Sequence, residues 1–337
     1  MKILMLLDGT LPDIRVDKEI KTLRREGYKV SVLSSVRFRF LKAMLPVLPF
    51  YWWYWLLLCL REMRKGYDVI HVHDLPLAKV GSWLGSWFRK PFILDLHENY
   101  PALLNSTDKW WPHSDHYWRK YEKAMVEKCD MLIVVCEEMK RRFGSGFIVE
   151  NTPDVDPLKW TCKHDLFTIL YIGSITKARG LQYVIRALEG INDVRLVIVG
   201  KGKYRNKLIK MADEKTIFLT DTWEIGDADV GIIPHVKSEQ TDCSSPNKLF
   251  EYMASGLPVI ASNCDSVERV IRECKCGITY KYNSVSSLIE AIEILKKGKS
   301  FHIDMSINGK KAVETKYNWR ESEKELLRIY YIIQEWI

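Results

Sequence analysis

The sequence lacks an uninterrupted apolar run of about 20 residues, the length needed to cross ~30 Å of hydrocarbon, so no membrane-spanning helix is expected. Its eight cysteines (59, 129, 136, 162, 243, 264, 274 and 276) include no C-x2-C pair, which excludes a zinc knuckle or a dithiol redox motif and fits a reducing cytosol. Cys274 and Cys276 are close, yet alternate residues of an extended chain face opposite sides, so a shared metal is not expected there. No G-x-G-x-x-G follows the first strand-like segment, which disfavours nicotinamide chemistry. MKILMLL runs into Asp8 and Gly9 too soon for a secretory signal and reads as a buried first strand. Internal repeats of 20 to 50 residues and low-complexity tracts are also missing.

What is present suits a globular chain of two domains: 337 residues, 47% hydrophobic and 28% charged. The net charge of +8 favours anionic partners; for nucleic acid nothing else speaks, and none is expected. Short apolar runs alternate with helical patterns: KILMLL, Val16 to Glu26, KVSVLS, DVIHVH, Leu77 to Phe88, FILDLH, Ser114 to Lys128 and MLIVV. Such alternation predicts α/β architecture, a parallel sheet covered on both faces. A proline-rich stretch from Glu150 to Trp160 reads as a linker, and a second alternating series follows. The expected division is residues 1–155, 156–318 and a C-terminal helix, 319–337, which is polar to Lys324 and apolar after it and so docks on protein, here back on the first domain.

Phe50 to Leu60 reads FYWWYWLLLCL. Lys42, Pro46 and Pro49 interrupt the run before it, and eleven residues rise only about 16 Å as a helix. Basic residues flank it, Arg37, Arg39 and Lys42 before and Arg61, Arg64 and Lys65 after, as in a segment lying in an anionic membrane interface. The segment 38–65 is therefore read as interfacial, helped by Lys109, Trp110, Trp111, Trp118 and Arg119; the alternative is that its rings fill a core or a dimer contact.

The most informative string is SSPNKLFEYMASGLPVIAS, Ser244 to Ser262. Ser245 as cap, Pro246 at the first helical position and Gly256 as stop define a helix whose first-turn amides can hold a phosphate. Lys248 and Glu251, three apart, share a face: a cation for a diphosphate and a carboxylate for ribose hydroxyls. The plainer alternative is a capped helix with a surface ion pair, worth about 0.3 kcal/mol. Two further turns carry related features. Gly173 ends a strand ahead of Lys177, Arg179 and Gly180, and Gly200 and Gly202 follow VRLVIV. All three turns lie at carboxyl edges of strands, where open α/β sheets bind ligands.

These motifs, PNKLFEYMASGLPVIAS above all, resemble glycosyltransferase family 4, of the GT-B fold: two Rossmann-like domains facing across a cleft. The likeness covers essentially the whole chain. It implies that Glu251 holds the donor ribose, that Lys248 and Arg179 meet the pyrophosphate and that Gly173 allows close approach, with Ser174, Asn247, Cys243, Ser244 and Gly200 completing the donor site. It further implies that His97 of DLHENYP lies beside donor sugar and acceptor, and that Asp13 and Arg15 of GTLPDIRVDKEI face the acceptor. Cys243 stands where the family often has a second glutamate, and Ser174 where it often has arginine. The implied activity is retaining transfer from a UDP- or GDP-sugar to a hydroxyl of a lipid-linked or saccharide acceptor, with no metal and no cofactor, on an anionic membrane surface at the cytoplasmic face. The D-x-D at Asp227 to Asp229 begins a strand and is not read as a cation site, and His71 and His73 of HVHD lack a third partner for zinc. Alternatives are a GT-B sugar-nucleotide epimerase and a non-catalytic sugar-nucleotide-binding subunit.

Overall fold

A computed structural model describes residues 1–34, 49–106, 114–154, 166–220 and 228–337. Arg37, Arg39, Lys42, Lys109, Trp110, Trp111, Asp227, Cys162 and most of the expected linker lie outside the described residues. The described chain forms two compact units, Met1–Glu150 with Ser322–Ile337, and Asn151–Glu321.

The first unit holds β1 (Lys2–Leu7), β2 (Lys29–Ser34), β3 (Val69–His73), β4 (Phe92–Leu96), β5 (Met131–Val134) and β6 (Phe147–Ile148). They pair in parallel in the order β2-β1-β3-β4-β5-β6. β3, β4 and β5 are buried on both faces, which is why these segments read as continuous apolar runs rather than alternating ones. The C-terminal helix Trp319–Gln334 buries Leu326, Ile329, Tyr330 and Ile333 completely. It is tied to the same unit by Thr22 Oγ1 donating to Glu323 at 2.8 Å and by Tyr330 against His71 Nδ1 at 2.7 Å.

The second unit holds β7 (Phe167–Ile172), β8 (Val194–Val199), β9 (Thr216–Leu219), β10 (Val230–Ile233), β11 (Val259–Ser262) and β12 (Gly277–Tyr280). Its order is β12-β11-β10-β7-β8-β9, again parallel. Period-two alternation sorts its core. Ile169, Tyr171, Leu196 and Ile198 meet the helices Leu181–Leu188 and Val285–Lys297, whereas Leu170, Val197 and Val199 meet Asn247–Ala254 and Asp265–Cys274 on the other face.

Helix Pro49–Met63 divides the aromatic segment between the two readings. Tyr51, Trp52, Trp55, Leu56 and Cys59 are buried, while Phe50, Trp53 and Leu57 are 77%, 55% and 64% exposed. The buried rings are there partly for their polar tips: Trp52 Nε1 donates to the Pro76 carbonyl at 2.8 Å, and Tyr51 donates to Asp8 at 2.5 Å. Trp52 also stacks on Tyr121 with Lys79 4.6 Å from its ring. Trp52 and Trp55 are thus core residues. Trp118 is corrected likewise, since it is buried against Tyr100 and Tyr121, and Arg119 pairs with Asp115. Among the described residues, no helix is long and apolar enough to cross a membrane.

One further expectation fails, and one helix went unread. Cys274 and Cys276 do not lie on an extended chain: a left-handed turn at Lys275 (φ 51°) brings their thiols together. Helix Lys299–Thr315 escaped sequence reading because Gly309 interrupts its pattern; a Cβ there would lie 3.4 Å from the Met253 Cα of helix Asn247–Ala254.

Candidate functional site

In the second unit the strand order reverses between β10 and β7, the switch point at which open α/β sheets bind ligands. Three chain segments meet there. Gly173 (φ 138°) closes β7, and its amide donates to the Val199 carbonyl; a Cβ on Gly200 would lie 2.0 Å from the Gly173 carbonyl oxygen. The Lys177–Arg179 turn ends at Gly180, where a Cβ would lie 1.7 Å from the Pro234 carbonyl oxygen after β10. Only glycine fits at either place.

The third segment is helix Asn247–Ala254. Its cap is Pro246, one residue later than the sequence suggested, and no side chain caps it. Ser245 Oγ and Asn247 Oδ1 are instead buried with no hydrogen-bond partner, and the amides of Asn247 and Lys248 have none among the described residues. The Lys248 ammonium lies 3.8 Å from the centre of the Tyr171 ring and would be 2.8 Å from a Cβ on Gly173. It occupies the space over Gly173, at the strand end. No carboxylate lies within ion-pair distance of Lys248 or Arg179 among the described residues, so the surface ion pair with Glu251 does not form. Burial and Arg179 hold the Lys248 pKa well below its usual value, while Glu251 acts in the opposite sense. Arg179 Nη1 donates to His235 Nε2 at 3.2 Å. Cys243 and Ser244 lie just before the helix, where Ser244 donates to the Thr241 carbonyl and accepts from Ser266 at its own carbonyl. Ser174 is exposed, and its carbonyl accepts from Tyr171 at 2.7 Å. Asp229 of the D-x-D is spent on structure, accepting from the Thr168 amide at 2.7 Å.

The first unit presents the opposite electrostatics. His97, after β4, has its Nε2 3.0 Å from Asp95 and its Nδ1 3.5 Å from Asp74, which also accepts from the His97 amide. Burial lowers the pKa of His97, but these two carboxylates outweigh it and push it up to about 9, so the ring is an imidazolium at neutral pH. Asp74 holds this position with φ 63° and ψ 165°, a conformation costing a non-glycine residue about 1–3 kcal/mol and typical of functional sites.

Behind His97 lies a buried network that sequence reading missed. Arg15 donates to both Asp95 oxygens, at 3.2 and 2.9 Å, and to the Val149 carbonyl, and it pairs with Glu19 at 3.1 Å. Arg15 therefore turns inward, where the buried Asp95 carboxylate requires its charge. Asp13 caps helix Ile14–Arg25 through the amides of Arg15 and Val16. Burial is the largest influence on Asp95 and raises its pKa, but Arg15, His97 and the hydrogen bonds of His71 and His73 hold it well below the usual carboxylate range. Glu19 is pushed up to about 8, chiefly by burial and then by Asp95, and His73 down to about 3, by burial and then by His71. The fold also supplies partners that His71 and His73 lacked in the sequence: donor atoms of Glu19, His71, His73 and Asp95 lie within 4.8 Å of one another. Arg15 pairs with Glu19 and Asp95, while both Glu19 carboxyl oxygens, His71 Nε2 and His73 Nε2 are buried there with no hydrogen-bond partner among the described residues. The signal was available in Asp95 within an apolar strand and in Arg15 and Glu19 one helical turn apart.

The chain matches the family description "Glycosyl transferases group 1" over residues 167–297 and "Glycosyltransferase Family 4" over residues 15–153. Phosphatidyl-myo-inositol mannosyltransferase of Mycobacterium leprae is 29% identical over 284 residues, covering 78% of this chain and 73% of that protein. Sucrose-phosphate synthase from Thermosynechococcus elongatus superposes with a TM-score of 0.83 at 16% identity, covering 100% of both chains. Anabaena HepE in complex with UDP-glucose superposes with a TM-score of 0.74 at 13% identity, covering 98% of this chain and 99% of that one. Paired parallel sheets with this strand order and these structural likenesses define a GT-B fold. Both family matches then place the chain among the family 4, group 1 glycosyltransferases, and it is a transferase.

Proposed function

We propose that this glycosyltransferase takes a sugar from a UDP- or GDP-sugar and transfers it, with retention at the anomeric carbon, to a hydroxyl of a lipid-linked saccharide or glycolipid at the cytoplasmic face of the membrane. The observation that carries the donor half is the pair of cations Lys248 and Arg179, neither ion-paired, beside the open first turn of helix Asn247–Ala254. A dianionic diphosphate satisfies both cations and the amides together. As the bond from the anomeric carbon to the phosphate oxygen breaks, negative charge grows on the departing diphosphate, and fixed positive groups there lower the barrier most. This stabilisation comes from protein groups, and the proposed chemistry includes no metal. Glu251, one turn on, takes the ribose hydroxyls; Asn247, Cys243, Ser244, Ser174, Gly173 and Gly200 line the donor. His97, as an imidazolium, is assigned to the sugar and acceptor.

That HepE was crystallised with UDP-glucose supports a nucleotide-sugar donor. The lipid acceptor and membrane face rest on Phe50, Trp53, Leu57 and Leu58, exposed along helix Pro49–Met63 ahead of Arg61 and Arg64. The mannosyltransferase relative, named for phosphatidyl-myo-inositol, supports the same reading. Incubation with a panel of UDP- and GDP-sugars and a polyprenyl-linked acceptor tests both halves. A glycosylated lipid product with retained configuration is expected. Donor hydrolysis without a lipid product would overturn the acceptor assignment, and inertness toward every donor would overturn the whole reading.

A further inference from the structure

We infer that His235 is a positioning residue of the donor site: its neutral imidazole aims the Arg179 guanidinium at the diphosphate without neutralising it. This rests on the donor reading above and deepens it.

Arginine always donates, so the 3.2 Å contact makes His235 Nε2 the acceptor and leaves the proton on Nδ1. That Nδ1 is buried with no partner, a cost that an apolar residue of similar size would avoid. His235 is 1% exposed, and it is the only hydrogen-bond partner of the Arg179 guanidinium among the described residues. Its backbone is fixed on three sides. Ser262 Oγ donates to its carbonyl at 2.6 Å, Val236 N donates to the Ala178 carbonyl at 2.9 Å, and Pro234 packs against Gly180 too closely for any side chain there. The imidazole thus reaches the guanidinium from a rigid base at the end of β10, beside β7.

A carboxylate in this place would orient Arg179 more strongly, but it would also compete with the phosphate for its charge. A neutral acceptor avoids that competition. The charged groups facing His235 are Arg179 from the Lys177–Arg179 turn and Lys248 from helix Asn247–Ala254. Burial, Arg179 and Lys248, in that order, all lower its pKa, so the ring stays neutral.

Calorimetric titration of the full chain with UDP and GDP tests this. His235→Leu should weaken diphosphate binding about tenfold or more, whereas His235→Gln, which keeps an acceptor, should stay within about threefold of wild type. In an Arg179→Ala background, neither substitution should have a further effect. If the leucine variant does not fold, His235→Met serves the same comparison. Equal binding by wild type and the leucine variant overturns the inference, as does an equal loss in the leucine and glutamine variants, which marks a packing role. The two layers separate through Lys248→Ala: if wild type binds a diphosphate and Lys248→Ala does not, the donor reading stands whatever His235 does. If wild type binds neither UDP nor GDP, both fall.

Discussion

The carboxyl edges of the two sheets use their ionisable groups in contrary ways. In the first unit, Arg15 and His97 face Asp95 and Asp74, so cation and anion are matched inside the protein. In the second, Lys248 and Arg179 stand together with no carboxylate in ion-pair reach among the described residues, Arg179 against the neutral ring of His235. A matched set has its charge answered within the protein; an unmatched set gains by binding something of opposite charge. The contrast supports the second edge as the proposed place of the diphosphate.

The largest effect should come from unbalancing the matched edge. Arg15→Met leaves Asp95 buried without its counter-ion and should cost about 3–5 kcal/mol of stability, read by chemical denaturation. Second is Lys248→Ala at the unmatched edge, expected to lower kcat/KM for transfer about 10²–10³-fold with the melting temperature unchanged. Stability lost there and activity lost from Arg15→Met alone would reverse the comparison.

Titration separates the edges less sharply. Glu19 at about 8 and His97 at about 9 both bind protons more tightly in the folded state than their ordinary values allow. Their contributions are complete below the ordinary values of 4.5 and 6.5 and are lost as pH rises, that of Glu19 between about 4.5 and 8 and that of His97 between about 6.5 and 9. His73, held down to about 3, acts in reverse and weakens the fold as pH falls below its ordinary value of 6.5. From these three groups stability should be greatest between about pH 4.5 and 6.5 and fall on both sides, already through neutrality, and the fall with rising pH should shrink in Glu19→Gln. The smallest expected effect on stability is that of Trp53→Ser with Leu57→Ser, within about 0.5 kcal/mol because both are exposed. The pair should nonetheless release the protein from anionic vesicles. Trp52→Ser, by contrast, should cost about 3 kcal/mol through a core cavity.

Much of the fold could be read from sequence because the strands are buried on both faces: VIHVH, FILDL and MLIV announce themselves as short apolar runs. The donor edge was legible for a related reason, since glycines, a helix start and cations cluster within each turn. Long-range partnerships were not. Nothing local links Arg15 to Asp95, 80 residues away, or His71 to Tyr330, 259 away. Helix Pro49–Met63 shows the limit of periodicity in another form: a segment apolar all round gives no hint of which face is covered, and here only one is.

The ammonium of Lys248 fills the space that a side chain at position 173 would need. Residues 75 positions apart in the chain are therefore bound by one steric condition, which keeps the strand's last residue bare for as long as the helical lysine lies over it.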